Sequence, residues 1–309
     1  MTLVALDGVL VVDKPEDITS HDVVAAVRRR LPRGTRVGHT GTLDPFATGV
    51  LPIVVGRATR LAQFLTASRK RYVADIAFGT ATDSCDRTGA PVETAAPEAM
   101  EALCADTVAA ALTTFLGPQA QVPPLHSAKK IDGERAYVLA RSGADVQLPA
   151  AEVTAHAVEL CTWDPSRRIA VVALETSAGF YVRSLARDLG QRVGVPAHLS
   201  ALRRVASGPF AIDDAHSVPA VVQASAEELS QWRVPLARLL PHLPEVTLDA
   251  EQVRAVLQGR PIRMLPSQRA DEGEDAGRVR LLDQAGDLVA LARPAAAASH
   301  ELHADIVLR

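Results

Sequence analysis

GHTGTLDPFATG, residues 38–49, places three glycines and one proline within twelve residues. Glycine frees the backbone and proline removes a hydrogen-bond donor, so this segment is predicted to be a structured loop. Its central carboxylate, Asp44, precedes Pro45, which favours extended backbone geometry at Asp44. Asp-Pro pairs in glycine-rich segments are also common in surface turns, and that interpretation stays open for the loop considered alone.

The loop leads directly into an apolar run, VLPIVVG at residues 50–56, which is typical of a buried segment. A carboxylate beside a core, with His39 and threonine hydroxyls close in sequence, is a candidate reactive group. Asp44 is therefore a candidate catalytic residue, with a turn aspartate as the alternative.

The flanking segments show strand and helix patterns in mixed order. Strands are predicted over 8–14, over 72–78 with Tyr72 at the start, and over 169–174. Helices are predicted after a Thr19 or Ser20 cap, over 57–65, 95–116 and 137–141, from Phe180 onward, and over 249–257. Residues 79–89 are predicted to be a polar turn, 267–277 an acidic loop, and 278–282 with 288–292 a hairpin. Such a chain is a mixed α/β protein.

Residues 38–52, GHTGTLDPFATGVLP, resemble the catalytic-loop motif of the tRNA pseudouridine synthase B family. Other segments are similar to further motifs of that family: 8–15 with the helix start at 20–21, 79–89, 122–137, 176–185 and 197–204. One departure is His126, where members of the family often carry a tyrosine. The resemblance extends from about Gly8 to Arg204, and the chain is identified as a member of this family.

The resemblance implies an α/β (α+β) fold, in which a mixed, largely antiparallel sheet forms the pseudouridine synthase core. A small β-rich domain of the PUA type is expected to follow it. Residues 235–244 contain three prolines and are predicted to join the two parts. The expected domains are a catalytic domain at 1–240 and a PUA-like RNA-binding domain at 245–309.

Asp44 is the nucleophile that the resemblance implies, and Arg183 is the cation that would keep it ionised. Arg183 is unusual even without the resemblance, because a cation in the first turn of a predicted helix opposes the helix dipole and requires an anionic partner. Tyr72 is the third implied catalytic residue, stacking on the flipped base and acting in proton transfer. The resemblance leaves open whether Asp44 attacks the sugar or the base.

Three further positions match family residues that contact the substrate: His39, Tyr181 and Leu202. Each also has an ordinary structural interpretation. His39 is a candidate cap of the loop, and Leu202 is as consistent with the core as with a pocket wall.

Basic residues are clustered although the net charge of the 309 residues is −3, which argues mildly against a nucleic-acid partner. The clusters lie at 28–36, 69–71, 129–130 and 203–204, and each alone is more often a solvated face than a binding site. Together they indicate a polyanionic partner. The candidate contacts to an RNA backbone are Arg29, Arg30, Lys129, Arg203 and Arg204.

Cys85, Cys104 and Cys161 are widely spaced and form no C-x-x-C pair, so free thiols in a reducing compartment are predicted. The N-terminus lacks the basic region of a signal peptide, and no apolar run reaches membrane-spanning length. A cytoplasmic protein is therefore expected. No phosphate-binding glycine motif or metal-spaced cluster is present, and pseudouridine formation is redox-neutral, so neither cofactor nor metal is expected.

The resulting hypothesis is an isomerase that converts uridine-55 in the T-loop of tRNA to pseudouridine after base flipping. The expected partner is the T-stem and loop of tRNA, with no membrane, no protein partner and a monomeric enzyme. Two alternatives remain. One is an RNA-binding or RNA-chaperone protein without catalysis, and the other is a hydrolase that uses a carboxylate nucleophile on a small substrate.

Overall fold

The computed structural model of the chain describes residues 6–124, 130–131, 134–135, 148–263, 277–294 and 301–309. Its strands are β1 (Gly8–Lys14), β2 (Val37–His39), β3 (Thr48–Val55), β4 (Lys70–Phe78), β5 (Thr80–Thr82), β6 (Pro91–Thr94), β7 (Gly117–Gln121), β8 (Lys130–Ile131), β9 (Glu134–Arg135), β10 (Ala151–Asp164), β11 (Ile169–Thr176), β12 (Ala197–Ser207), β13 (Phe210–Ala211), β14 (His216–Ser217), β15 (Val234–Pro235), β16 (Glu245–Thr247), β17 (Ile262–Arg263), β18 (Val279–Leu282), β19 (Leu288–Pro294) and β20 (Glu301–Val307). Its α-helices are α1 (Ser20–Arg29), α2 (Ala62–Ala67), α3 (Pro97–Ala102), α4 (Ala105–Thr113), α5 (Val182–Val193), α6 (Val218–Gln223), α7 (Ala226–Trp232) and α8 (Ala250–Leu257). Short 3₁₀ helices span Gly56–Leu61, Ile212–Asp214 and Leu236–Arg238.

A large mixed sheet dominates the first 240 residues. Its main path is β14-β1-β3-β12-β4-β11-β10-β7. Most neighbouring strands are antiparallel, whereas β12 pairs with β3 and β14 pairs with β1 in parallel. The predicted mixed, largely antiparallel core is therefore confirmed.

Both faces of the sheet are covered near its centre, which explains the continuous apolar sequence of β1. Leu10 and Val12 pack into a core that also contains apolar residues of α1 and α5. Val9 and Val11 face the other way and pack with Leu288 and other apolar residues of the C-terminal part. The alternation of side chains along one strand thus joins two hydrophobic cores.

The C-terminal part forms a five-stranded sheet, β16-β18-β19-β20-β17, with α8 beside it. The predicted hairpin is present as β18 and β19, and Asp249 caps α8 as predicted. This β-rich module packs on the large sheet through Leu282, Leu291 and Leu308. The domain boundary between residues 240 and 245 stays a prediction.

Three secondary-structure predictions need correction. The helix at 57–65 is a 3₁₀ turn followed by α2, and the turn begins where the backbone N–H of Arg57 donates to Asp7, 50 residues earlier. The helix at 95–116 divides into α3 and α4, because Leu103 adopts extended geometry and is buried. The segment 79–89 contains the short strand β5. The predicted helix at 137–141, the acidic loop at 267–277 and His126 lie outside the described residues, apart from Gly277 at the end of that loop.

None of the helices in the described ranges is long and apolar enough to span a bilayer.

Candidate active site

The Asp44 loop connects β2 to β3 and is fastened by buried polar side chains. Lys14 is fully buried, and its Nζ donates to the carbonyl of Pro45 at 3.0 Å. The backbone N–H of Leu43 donates to Ser20 Oγ at 2.8 Å, and that hydroxyl donates back to the Leu43 carbonyl. The residues on both sides of Asp44 are therefore held in place, and the carboxylate projects from a fixed backbone.

Gly49 at the start of β3 allows two strands to approach each other beneath this loop. Its φ is +103°, and a Cβ atom at this position would lie 2.2 Å from the carbonyl oxygen of Arg204 on β12. Only glycine fits here, so the third glycine of the motif is required by packing.

Arg183 reaches the Asp44 carboxylate from the first turn of α5. Its Nη2 donates to Asp44 Oδ1 at 3.1 Å, and its Nε lies 2.9 Å from Oδ2. The Arg183 side chain is 6% exposed, whereas that of Asp44 is 33% exposed. The two residues are 139 positions apart, and the pair leaves the carboxylate accessible from one side.

Asp86 holds the other edge of the same guanidinium. Its Oδ2 lies 3.4 Å from Arg183 Nη1, and its Oδ1 accepts from the hydroxyls of Ser84 at 2.8 Å and Thr88 at 2.6 Å. Asp86 is 3% exposed. A buried arginine between two carboxylates is fixed in position, so Asp86 is a positioning residue for Arg183. Nothing in the sequence singles out Asp86, although it lies in the polar segment 79–89.

The environment of Asp44 sets its ionisation through opposing effects. Burial raises the pKa of the Asp44 carboxyl, and the Arg183 guanidinium opposes that rise. Asp86 adds to the rise through like charge, whereas Lys14 opposes it. The net pKa lies above the ordinary aspartate value, and Arg183 is the strongest of the influences that favour the ionised carboxylate.

A cavity of about 270 Å³ opens beside Asp44 and gathers most of the candidate site residues. Tyr72, Tyr181, Leu202 and Arg183 line it together with Asp44. They come from the loop, β4, β12 and the start of α5, so the fold assembles them from four separate segments.

Arg204 lies inside the protein, which corrects its predicted place on a basic surface. Its side chain is among the largest that are fully buried, and its guanidinium donates to the carbonyls of Val50 at 2.7 Å and Gly41 at 3.0 Å. It also hydrogen-bonds to Tyr72. Burial raises the pKa of the Tyr72 hydroxyl, and Arg204 partly offsets this, so Tyr72 is a neutral phenol at neutral pH.

His39 lies apart from the Asp44 cavity. It is half-buried and lines a neighbouring groove with Arg28 and Arg29, and burial lowers the pKa of its imidazole. In the structure His39 therefore lies on the side of the loop that faces this groove. Its contact with the substrate stays a prediction.

The remaining candidate RNA contacts have different surroundings. Arg29 and Arg30 are both exposed, and Arg30 also donates to the carbonyl of Ala224 at 2.7 Å. Arg203 forms an ion pair with Asp13 at 2.8 Å and is 43% exposed. Lys129 lies outside the described residues.

Lys14 and Lys70 are buried beside the site, although the sequence did not indicate either as a site residue. Burial lowers the pKa of Lys14 and of Lys70 to about 8, and Asp44 opposes the effect at Lys14. Lys70 lines the Asp44 cavity and donates to the carbonyls of Thr66 and Ser68 at the end of α2. Within the described ranges, no cluster of three or more His, Cys, Asp or Glu side chains could hold a metal ion.

Comparison of the sequence with models of known protein families identifies the family of this chain. The family model of the TruB family pseudouridylate synthase N-terminal domain matches residues 28–182. The models of the tRNA pseudouridylate synthase B C-terminal domain and of the pseudouridine synthase II TruB C-terminal region match 183–244 and 244–297. The chain belongs to this family. It is a pseudouridine synthase, and the predicted isomerase is confirmed.

Curated relatives agree along most of the chain. The tRNA pseudouridine synthase B of Solibacter usitatus is 43% identical over 93% of this chain and 95% of the relative. That of Symbiobacterium thermophilum is 45% identical over 82% of both chains, and that of Aquifex aeolicus is 39% identical over 83% of this chain and 87% of the relative.

Two solved structures share the fold at lower identity. One is the structure of an H/ACA RNP bound to a substrate RNA containing 2′-deoxyuridine; it is 22% identical, covers 99% of this chain and 86% of that chain, and has a TM-score of 0.71. A Cbf5-Nop10-Gar1 complex is 24% identical, with the same coverage and TM-score. These similarities show the pseudouridine synthase fold.

Asp86→Asn is expected to lower kcat by roughly 10–100-fold with little change in RNA binding. The amide keeps the shape but removes the charge that holds Arg183, so the guanidinium is less well aimed at Asp44. Single-turnover rates across a pH series, with RNA affinity measured in parallel, check this prediction.

Asp86→Asn also removes a negative charge that raises the pKa of Asp44. The pKa of Asp44 is therefore expected to fall, and the acidic limb of the rate profile is expected to move to lower pH. Asp83→Asn, on the exposed side of the same turn, is the matched control. A wild-type rate and profile in Asp86→Asn would show that Arg183 is positioned without it.

Proposed function

We propose that this enzyme isomerises uridine-55 in the T-loop of tRNA, with Asp44 as the nucleophile. The observation that carries the proposal is the ion pair between a third-exposed Asp44 and a buried Arg183 beside a cavity with aromatic walls. A turn aspartate requires neither the buried cation nor the cavity. The names of the curated relatives support tRNA as the substrate.

The reaction exchanges one bond for another within a single nucleotide. The bond between C1′ of the ribose and N1 of uracil breaks, the base turns, and a bond forms between C1′ and C5. The proton that leaves C5 is balanced by the proton that N1 gains, so no electrons enter or leave. Asp44 forms a transient covalent bond to the nucleotide, and that bond breaks again by the time the product is complete, so the carboxylate is regenerated.

Arg183 keeps Asp44 ionised and oriented in this scheme. Its two contacts to Asp44 fix both carboxylate oxygens, and burial strengthens the interaction because little water screens it. The nucleophile is thus charged and aimed before the substrate arrives.

Tyr72 and Leu202 supply the surfaces on which the uracil rests. Tyr72 is a protonated phenol held by Arg204, so its hydroxyl can donate a proton or hydrogen bond to the base while its ring stacks. Stacking and backbone contacts recover the roughly few kcal/mol that base flipping costs.

The three free thiols support a reducing, cytoplasmic location, where tRNA is modified.

An unmodified tRNA transcript tests the proposal directly. Pseudouridine is expected at position 55 and is read by carbodiimide labelling and primer extension. A matched transcript with cytidine at that position should yield none. Pseudouridine at another position would refute the site assignment, and its absence from both transcripts would refute the proposed substrate.

A further inference from the structure

A second concave surface, distinct from the Asp44 cavity, is lined mainly by arginine. A hollow of about 800 Å³ includes Arg28, Arg29, Arg33 and Arg36 in its wall. An adjoining hollow of about 420 Å³ is lined by Arg36, Arg57, Arg60 and Arg309. Both share Gly34, Thr35, Arg36 and Thr59, so they form one continuous surface, here called the arginine groove.

The charge of the arginine groove contrasts with that of the chain. Seven exposed arginines line it, whereas the whole protein has a net charge of −3. Two of the seven are ion-paired: Arg57 pairs at 2.7 Å with Asp7, the one carboxylate of the described wall, and Arg309 pairs with Asp283 outside it. In the part of the chain that the structure describes, no carboxylate pairs with Arg29, Arg33 or Arg36. Such a concentrated positive field favours a polyanion.

The ends of the arginine groove define its direction. One end is at His39, next to the loop that carries Asp44. The other end is at Arg309 in the β-rich module, where Arg57 donates to the carbonyl of Leu308 at 2.7 Å and Arg60 donates to that of Val307. The groove therefore leads from the active-site loop across the surface to the C-terminal module.

The lining also indicates which part of an RNA would lie there. Among the described residues of its wall, the side chains other than arginine, Asp7 and His39 are small or aliphatic, such as Leu31, Pro32 and Ala62, and no Phe, Tyr or Trp is present. Single-stranded bases are recognised by aromatic stacking, whereas guanidinium groups bind phosphates with good geometry. The lining suits the backbone of a paired RNA segment.

We propose that the arginine groove binds the sugar–phosphate backbone of tRNA outside the stem–loop that carries the target uridine. The inference rests on the proposed function, because it assigns a second contact area to the same substrate. The Asp44 cavity selects one nucleotide, and the groove adds affinity for the body of the tRNA that extends toward the C-terminal module.

The double variant Arg33→Gln/Arg36→Gln tests this inference, since both side chains are exposed and substitution leaves the core intact. Affinity for full-length unmodified tRNA is expected to fall about tenfold near 0.1 M salt. The slope of log affinity against log salt is expected to shrink by about 0.7–0.9 for each phosphate that the variant no longer neutralises. Affinity for an isolated T-arm stem–loop, and the rate of pseudouridine formation at saturating stem–loop, are expected to stay at wild-type values.

Arg167→Gln/Arg254→Gln is the matched control, because it removes the same charge from exposed positions outside the groove. Equal weakening of tRNA and stem–loop by Arg33→Gln/Arg36→Gln would overturn the inference and assign the groove to the stem–loop. Equal effects of the groove and control variants would overturn it in favour of general charge attraction. Failure of the proposed function is distinguishable, because wild-type enzyme would then form no pseudouridine on either RNA.

Discussion

Asp44→Asn is expected to reduce pseudouridine formation by roughly 10⁴-fold or more while RNA affinity stays within about twofold of wild type. The amide keeps the size of the side chain but removes the nucleophilic oxygen. Phosphate contacts supply most of the affinity in RNA binding, and the proposed arginine groove lies apart from the Asp44 cavity. Single-turnover assays with excess enzyme and unmodified tRNA, together with filter-binding affinities, measure the two quantities separately.

Folding must be followed in the same variant, because Arg183 loses its pairing with the Asp44 charge. Asp213→Asn, an exposed carboxylate far along the chain, controls for a generic charge change. An active Asp44→Asn enzyme would remove Asp44 from the mechanism. An unfolded variant would instead favour a structural role for the loop.

The loop itself could be predicted because its signals are local. Glycine and proline spacing indicates a structured loop, and the apolar run that follows indicates a buried segment, which the structure contains as the buried strand β3. The unfavourable position of Arg183 in the first turn of α5 indicated an anionic partner, and the structure places Asp44 and Asp86 there.

Arg204 shows where a local interpretation fails. The sequence predicts one basic patch at Arg203 and Arg204, but they are neighbours on β12, and successive side chains of a strand point to opposite faces. Arg203 therefore pairs with Asp13 near the surface, while Arg204 enters the core. The sequence of β12 alone does not specify which face is buried.

Asp86 could not be predicted as a partner of Arg183 from sequence spacing, since 97 residues separate them. Their contact depends on an isolated bridge between Asp86 and Leu199 of β12, which brings the polar turn against the sheet beside α5. The break between α3 and α4 could not be predicted from the local sequence either. Burial of Leu103 overrides the helical preference of an alanine-rich segment.

Arg183→Met is expected to lower both stability and activity, and to change the pH dependence of what activity remains. Two carboxylates would then lose the cation between them, and breaking such a buried pair costs about 3–5 kcal/mol of unfolding free energy. Without the opposite charge the pKa of Asp44 rises further, so the acidic limb of the rate profile moves to higher pH. Urea unfolding and single-turnover rates across a pH series measure these effects.

The double variant Arg183→Met/Asp86→Asn separates the structural from the catalytic role of Arg183. Neutralising Asp86 removes a buried charge that no longer has an opposite charge beside it, so part of the stability is expected to return. Activity is expected to stay low, because Asp44 still lacks the guanidinium that orients it. Arg187→Met, one turn further along α5, is the matched control, since Arg187 pairs with Asp188 at a more exposed position. If the double variant regained activity together with stability, the arginine would act only as a structural link between α5 and the Asp44 loop.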